Sequence, residues 1–225
     1  MNGILIIDKP SGMTSHDVVA RIRRISGAKK VGHGGTLDPL ATGVLPILIG
    51  NATKLSSEVM QGDKEYIAEI KLGEATDTDD SKGKVISSAP VPKNIEASLN
   101  GALPKFLGKI MQVPCTYSAI KKDGRKAYNA ARKGQKLELE PRAVELKELV
   151  LLGVHSPVFT VRVKCSKGTY IRALARDLGR EMGTFGHITS LRRTVCGRFK
   201  IGEAIDLNKI STGQEIMGML RTPEV

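Results

Sequence analysis

Hydrophobic and polar positions follow several distinct rhythms along the chain. "GILIIDKP" is a short unbroken apolar run halted by Pro10, the pattern of a buried strand. In "TSHDVVARIRRIS", Val18, Val19, Ile22 and Ile25 share one helical face and Arg21, Arg23 and Arg24 lie largely on the other. Thr14 or Ser15 suits the N-cap of that helix, with Asp17 in its first turn. "EYIAEIKLG" changes to a period of two, setting Tyr66, Ala68, Ile70 and Leu72 against Glu65, Ile67, Glu69 and Lys71, which predicts a half-buried strand. "VFTVRVKC" repeats this rhythm through Phe159, Val161, Val163 and Cys165. "GTYIRALARDLGREMG" returns to helical spacing through Ile171, Leu174, Ala175, Leu178 and Met182, and another helix is expected from about Asn94.

Strands and helices therefore mix along the chain without an internal repeat, and a single α+β domain is the most economical reading. Two stretches fall outside these rhythms. "ATDTDDSKGK" is acidic and turn-rich; without the full spacing and closing Glu of a calcium loop, it is expected to be a solvated hairpin tip. Between Lys121 and Arg142 stand eight basic and three acidic residues with few large apolar ones. Such a segment packs badly against a core and is expected to project from the body.

Composition adds a partner class. The chain has 225 residues, 40% of them hydrophobic and 26% charged, enough to bury a core. Its net charge of +12 favours a polyanionic partner, nucleic acid or anionic membrane. The three cysteines form no CxxC pair and read as reduced, buried thiols. No run approaches the roughly 20 apolar residues of a membrane span, and the N-terminal apolar run is too short for a signal peptide. The expectation is a cytoplasmic, soluble protein with no membrane partner.

Candidate chemistry gathers in "VGHGGTLDPLATGVLPILIG", where one carboxylate, Asp38, follows His33 on a glycine-rich stretch. The stretch lacks the Lys-Ser/Thr ending of a phosphate loop, and no dinucleotide fingerprint occurs elsewhere. Adjacent helical residues in "TSHD" cannot face one another as a hydrolytic triad. What remains is one Asp, a set of arginines, and four tyrosines that could stack on an unpaired base.

Five stretches in order, "GHGGTLDPLATGVLPI", "DKEYIAEIKLGEATDTDDSKG", "PCTYSAIKKDGRKAYNAARKG", "CSKGTYIRALARDLG" and "LRRTVCGRF", resemble the successive motifs of the TruB family of tRNA pseudouridine-55 synthases. The resemblance implies a pseudouridine synthase fold with a mixed, mainly antiparallel central sheet. It implies catalysis in residues 1–205 and a thumb-like insertion over 121–143 that holds the T-arm; the chain departs from many relatives in that only a short tail over 206–225, and no full second domain, is expected after it. Asp38 matches the family's catalytic aspartate and Arg172 its arginine partner. Tyr66 matches the tyrosine that stacks on the flipped uracil, while Tyr170 and Leu191 match pocket residues. His33 matches the histidine that displaces the target nucleotide, and Lys9 a lysine that supports the pocket. Gly34 stands where some relatives have Thr, a change expected only to loosen the turn.

The implied reaction needs no cofactor or metal, and the implied partner is tRNA, met by a monomer without an obligate protein partner. Two other functions fit the same residues. A guide-dependent synthase subunit would need guide RNA for activity. A tRNA-folding chaperone would keep its activity without Asp38.

Overall fold

The two-residue and helical rhythms of the sequence reappear as elements in the computed structural model, which describes residues 1–118, 120–122, 125–126 and 137–222. In chain order these are β1 (Gly3–Lys9), α1 (Ser15–Ser26), β2 (Val31–His33), β3 (Thr42–Ile49), α2 (Ser56–Val59), β4 (Lys64–Leu72), β5 (Glu74–Thr76), β6 (Val85–Ser88), α3 (Ile95–Ala102) and β7 (Gly108–Gln112). There follow β8 (Lys121–Lys122), β9 (Arg125–Lys126), β10 (Arg142–His155), β11 (Val158–Cys165), α4 (Ile171–Glu181), β12 (Gly186–Cys196), β13 (Phe199–Lys200), β14 (Ile205–Asp206) and α5 (Gly213–Met219). Most of the basic segment 121–143 lies outside the described residues. The chain divides into two units, Met1–Tyr66 with Leu191–Val225, and Ile67–Ser190.

In the first unit the strand order is β14–β1–β3–β12. β1 runs antiparallel to β3 from Gly3↔Ile49 to Lys9↔Gly43, while β14 lies parallel to β1 and β12 parallel to β3. This sheet is therefore mixed. Ile4, Ile6, Val44, Leu48, Ala52, Cys196 and Phe199 form a buried apolar cluster in this unit. α1 begins at a capping box: Thr14 accepts from the Asp17 amide, and the Asp17 carboxylate accepts from the Thr14 amide at 2.8 Å. It ends at Gly27, whose φ of 64° an L-residue adopts reluctantly. Thr14, of the two candidates in the sequence, is thus the cap.

In the second unit the order is β4–β11–β10–β7, with β10 antiparallel to both neighbours. β4 buries Lys64, Tyr66, Ala68, Ile70 and Leu72 in strict alternation, and β11 buries Phe159, Val161, Val163 and Cys165. α3 is capped by Asn94, whose side chain accepts from the Ala97 amide. α4 has no side-chain cap; the Gln112 amide instead brackets the backbone of Tyr170, accepting from its N–H at 2.9 Å and donating to its carbonyl at 3.1 Å.

Candidate active site

Strand register sets the first part of the site. Lys9 on β1 pairs with Gly43 on β3, and Gly43 pairs with Arg193 on β12. Residues directly opposite across a sheet send their side chains to the same face, so two cations flank a position with no side chain. Gly43 has φ 102°, and a Cβ there would run into the Arg193 carbonyl oxygen. The glycine therefore serves both backbone geometry and close approach.

Both cations are enclosed: Lys9 is 0% exposed and Arg193 1%. Each is met by carbonyl oxygens, as a buried charge requires. Lys9 Nζ donates to Pro10 O at 2.9 Å, Met13 O at 2.6 Å and Pro39 O at 3.4 Å. Arg193 donates from Nε to Val44 O at 2.8 Å, and from its terminal nitrogens to Thr36 O at 3.3 Å and Gly35 O at 3.2 Å. Burial pushes the Lys9 ammonium down to about 8; the Asp38 and Asp17 charges oppose that shift and Arg193 adds to it.

These bonds converge on the segment that carries Asp38. Ser15, at the start of α1, ties down its middle: the hydroxyl accepts from the Leu37 amide at 2.9 Å and donates to the Leu37 carbonyl at 3.2 Å. The Pro39 carbonyl also accepts from the Gly12 amide at 2.8 Å, and the Asp38 carbonyl accepts from the Ala41 amide at 3.0 Å. The half-buried Asp38 thus sits on a loop anchored from β1, α1 and β12. The glycine-rich composition suggests a pliable turn; the structure shows a pinned one. A Cβ on Gly34 would run into Val59 and crowd Pro46, so its role is packing, and a Thr there would demand repacking rather than a looser turn.

His33, at the end of β2, lies beside this loop. Its Nδ1 accepts from the Gly35 amide at 3.4 Å, and its ring meets the His16 ring edge-on with centroids 5.3 Å apart. Burial lowers the His33 pKa, assisted by the positive potential of His16 and Arg193, so the neutral ring is favoured. Tyr66 and Leu191 also belong to the first unit and are buried. Leu191 lies two residues before Arg193 on β12 and therefore shares its face of the strand.

Tyr170 and Arg172 belong to the second unit, at the start of α4. Arg172 is 5% exposed. It donates to Thr78 O and Tyr117 O, both at 2.8 Å, and its guanidinium lies 4.0 Å from the Asp80 carboxylate. One turn on, Arg176 reaches Asp79 at 3.3 Å, Asp177 at 2.9 Å and the Val113 carbonyl at 2.8 Å. Desolvation raises the Asp79 pKa despite its arginine neighbour.

This arrangement corrects the expectation of a solvated acidic tip. β5 and β6 do form a hairpin, with the acidic residues in its connection, but Asp80 is only 7% exposed. Its carboxylate accepts from the Thr78 hydroxyl at 2.7 Å and the Lys82 amide at 2.9 Å. The loop folds inward because the α4 arginines require buried anions. Charge composition alone does not reveal this, since the two partners lie some ninety residues apart.

The comparisons with known proteins agree with this architecture. The model of the TruB family pseudouridylate synthase (N terminal domain) matches residues 23–171, and that of the tRNA pseudouridylate synthase B C-terminal domain matches 172–219. A relative from Opitutus terrae, named tRNA pseudouridine synthase B, is 46% identical over 210 residues, covering 93% of this chain and 87% of that protein. A relative of the same name from Rhodospirillum rubrum is 50% identical over 211 residues, covering 93% and 68%. The solved structure of a Cbf5-Nop10-Gar1 complex aligns with a TM-score of 0.72 at 32% identity, covering 92% of this chain and 52% of that one. This chain therefore spans about half the length of that structural neighbour. Sequence and fold agree along nearly the whole chain: it belongs to the TruB family, as an RNA-modifying isomerase with the α+β pseudouridine synthase fold.

Proposed function

We propose that this chain converts the T-loop uridine at position 55 of tRNA to pseudouridine, with Asp38 as the catalytic carboxylate. Pseudouridylation of tRNA is the activity that the family and its relatives' names support. The observation that carries the finer reading is the treatment of Asp38: a half-buried carboxylate on a loop pinned by two enclosed cations.

The target base leaves its stack at a cost of a few kcal/mol, and stacking on Tyr66 returns ~1–3 kcal/mol of that. The resemblance gives Tyr170 and Leu191 contacts to the target nucleotide and His33 its displacement, and Lys9 supports the Asp38 loop. Arg172 is the arginine that the family resemblance gives Asp38 as a partner, a role a guanidinium suits because it stays charged and meets a carboxylate through a planar fork. Ionised Asp38 acts at C1′ as nucleophile or at the 2′ position as base. The N1–C1′ bond breaks, the uracil turns, the C5–C1′ bond forms, and a proton lost from C5 is balanced by one gained at N1. The exchange is redox-neutral and draws on positioning and the carboxylate.

In this reading residues 1–205 carry the chemistry, the basic segment 121–143 grips the T-arm, and 206–225 takes no part in it. The enzyme acts as a cytoplasmic monomer, without a guide RNA or obligate protein partner. The test is to map pseudouridine in an unmodified tRNA transcript after incubation with the purified protein alone. Wild type should modify the T-loop uridine; Asp38→Asn should form no product while binding RNA as before. A wild-type rate from Asp38→Asn, or a requirement for added guide RNA, would overturn the proposal.

A further inference from the structure

The structure assigns Arg193 a task that the motif resemblance leaves open: it is the positioning residue that fixes the Asp38 loop from beneath, without contact to RNA. This inference rests on the reading of Asp38 as the reacting group. Its grounds are geometric. The guanidinium is a rigid planar fork, and its three donors reach carbonyls on both sides of Asp38 in sequence. Gly35 and Thr36 lie before the carboxylate, and Val44 lies after it on β3. One side chain thus closes the segment into a fixed span, and no RNA contact is open to a residue 1% exposed.

The neighbouring residue is an internal contrast. Arg192, next on the same strand, points to the opposite face and forms a two-point ion pair with Asp8 at 2.6 and 3.2 Å. That half-buried pair is an ordinary strand-to-strand tie. The Arg193 backbone instead lies against Gly43, where a Cβ would meet its carbonyl oxygen, so the Arg193↔Gly43 register brings β12 close to β3 at this point. A lysine there would keep the charge but lose the fork, and a methionine would lose both.

Single-turnover rate and T-arm affinity, measured on variants shown to be folded by urea titration, provide the test. Arg193→Lys should slow the chemical step by about 10–100-fold, the scale expected for a loop displaced by about 1 Å, with RNA affinity unchanged. Arg193→Met should be slower still. A second readout separates positioning from bulk stability. Lys9 faces Asp38 and Asp17, which raise its pKa, and Arg193, which lowers it. The Lys9 titration, followed by the chemical shifts of its side chain against pH, should therefore move upward in Arg193→Met and stay in place in Arg193→Lys.

A normal rate in Arg193→Lys, a loss of rate matched by equal loss of affinity, or an unmoved Lys9 titration in a folded Arg193→Met would overturn the inference. Should Arg193→Met fail to fold, the rate and affinity of Arg193→Lys decide. Failure of the Asp38 reading looks different: Asp38→Asn would then be active while the Arg193 variants still differ from wild type.

Discussion

The Asp38 loop and the Arg172 helix start solve opposite electrostatic problems. In the first unit the Asp38 loop is held by two enclosed cations, Lys9 and Arg193, whose hydrogen bonds go to backbone carbonyls. In the second unit two arginines of one helix lean on carboxylates, Arg172 on Asp80 and Arg176 on Asp79, with further carbonyls completing each fork. Carbonyl cradles neutralise no charge, so each of these cations keeps its positive potential, which Lys9 registers as a lowering by Arg193. Carboxylate cradles cancel much of the charge they hold. The difference teaches that the two regions anchor their key side chains by unlike means and should fail in unlike ways.

The largest expected effect comes from breaking the second cradle. Arg172→Met removes a buried cation and strands Asp80 with two carbonyls; a loss of about 3–5 kcal/mol in urea unfolding is expected. A loss below about 1 kcal/mol would mean the cradle is solvated after all. Gly43→Ala follows, since its Cβ meets the Arg193 carbonyl in a left-handed backbone; a cost of about 2–3 kcal/mol should accompany a slower chemical step. Equal activity in that variant would separate the strand row from the Asp38 loop.

A subtler effect is the pH dependence that Lys9 contributes. Its folded pKa of about 8 lies below its ordinary value of 10.5, so between those two pH values the unfolded chain holds more protons than the folded one. Raising the pH through that window therefore favours folding, by at most about 3 kcal/mol from this group. Comparing the pH dependence of stability in wild type and Lys9→Met isolates the term: the upward slope should vanish in the variant. The smallest effect is expected outside both cradles. Lys105→Ala breaks an exposed pair with Glu181 at 2.6 Å and should change stability by less than about 0.5 kcal/mol. A larger loss would show that exposed pairs matter here as much as enclosed ones.

Much of the local structure was legible. The capping box at Thr14, the Asn94 cap, the buried faces of β4 and β11 and the helix from Ile171 all follow from spacing within about ten residues. Arg193 is not singled out by the motifs, though the sequence holds a signal for it. Two adjacent arginines in a strand must face opposite ways, so one of the "LRRTVC" pair had to point inward whenever β12 was half-buried. The inward fold of Asp79 and Asp80 left no comparable trace, because an acidic turn reads alike whether its partners are water or arginines.

By itself, then, the sequence determined periodicity, caps, turns and the motif series that marks the family, since these depend on near neighbours and residue identity. Only the tertiary structure decided which charges are enclosed and by what. Lys9, Gly43 and Arg193 come together because three strands far apart in the chain align in register. Arg172 and Asp80 meet because α4 packs against a hairpin loop in the same unit. Desolvation depends on everything that surrounds a group, so the chemistry of these charges was settled only when distant segments closed over them.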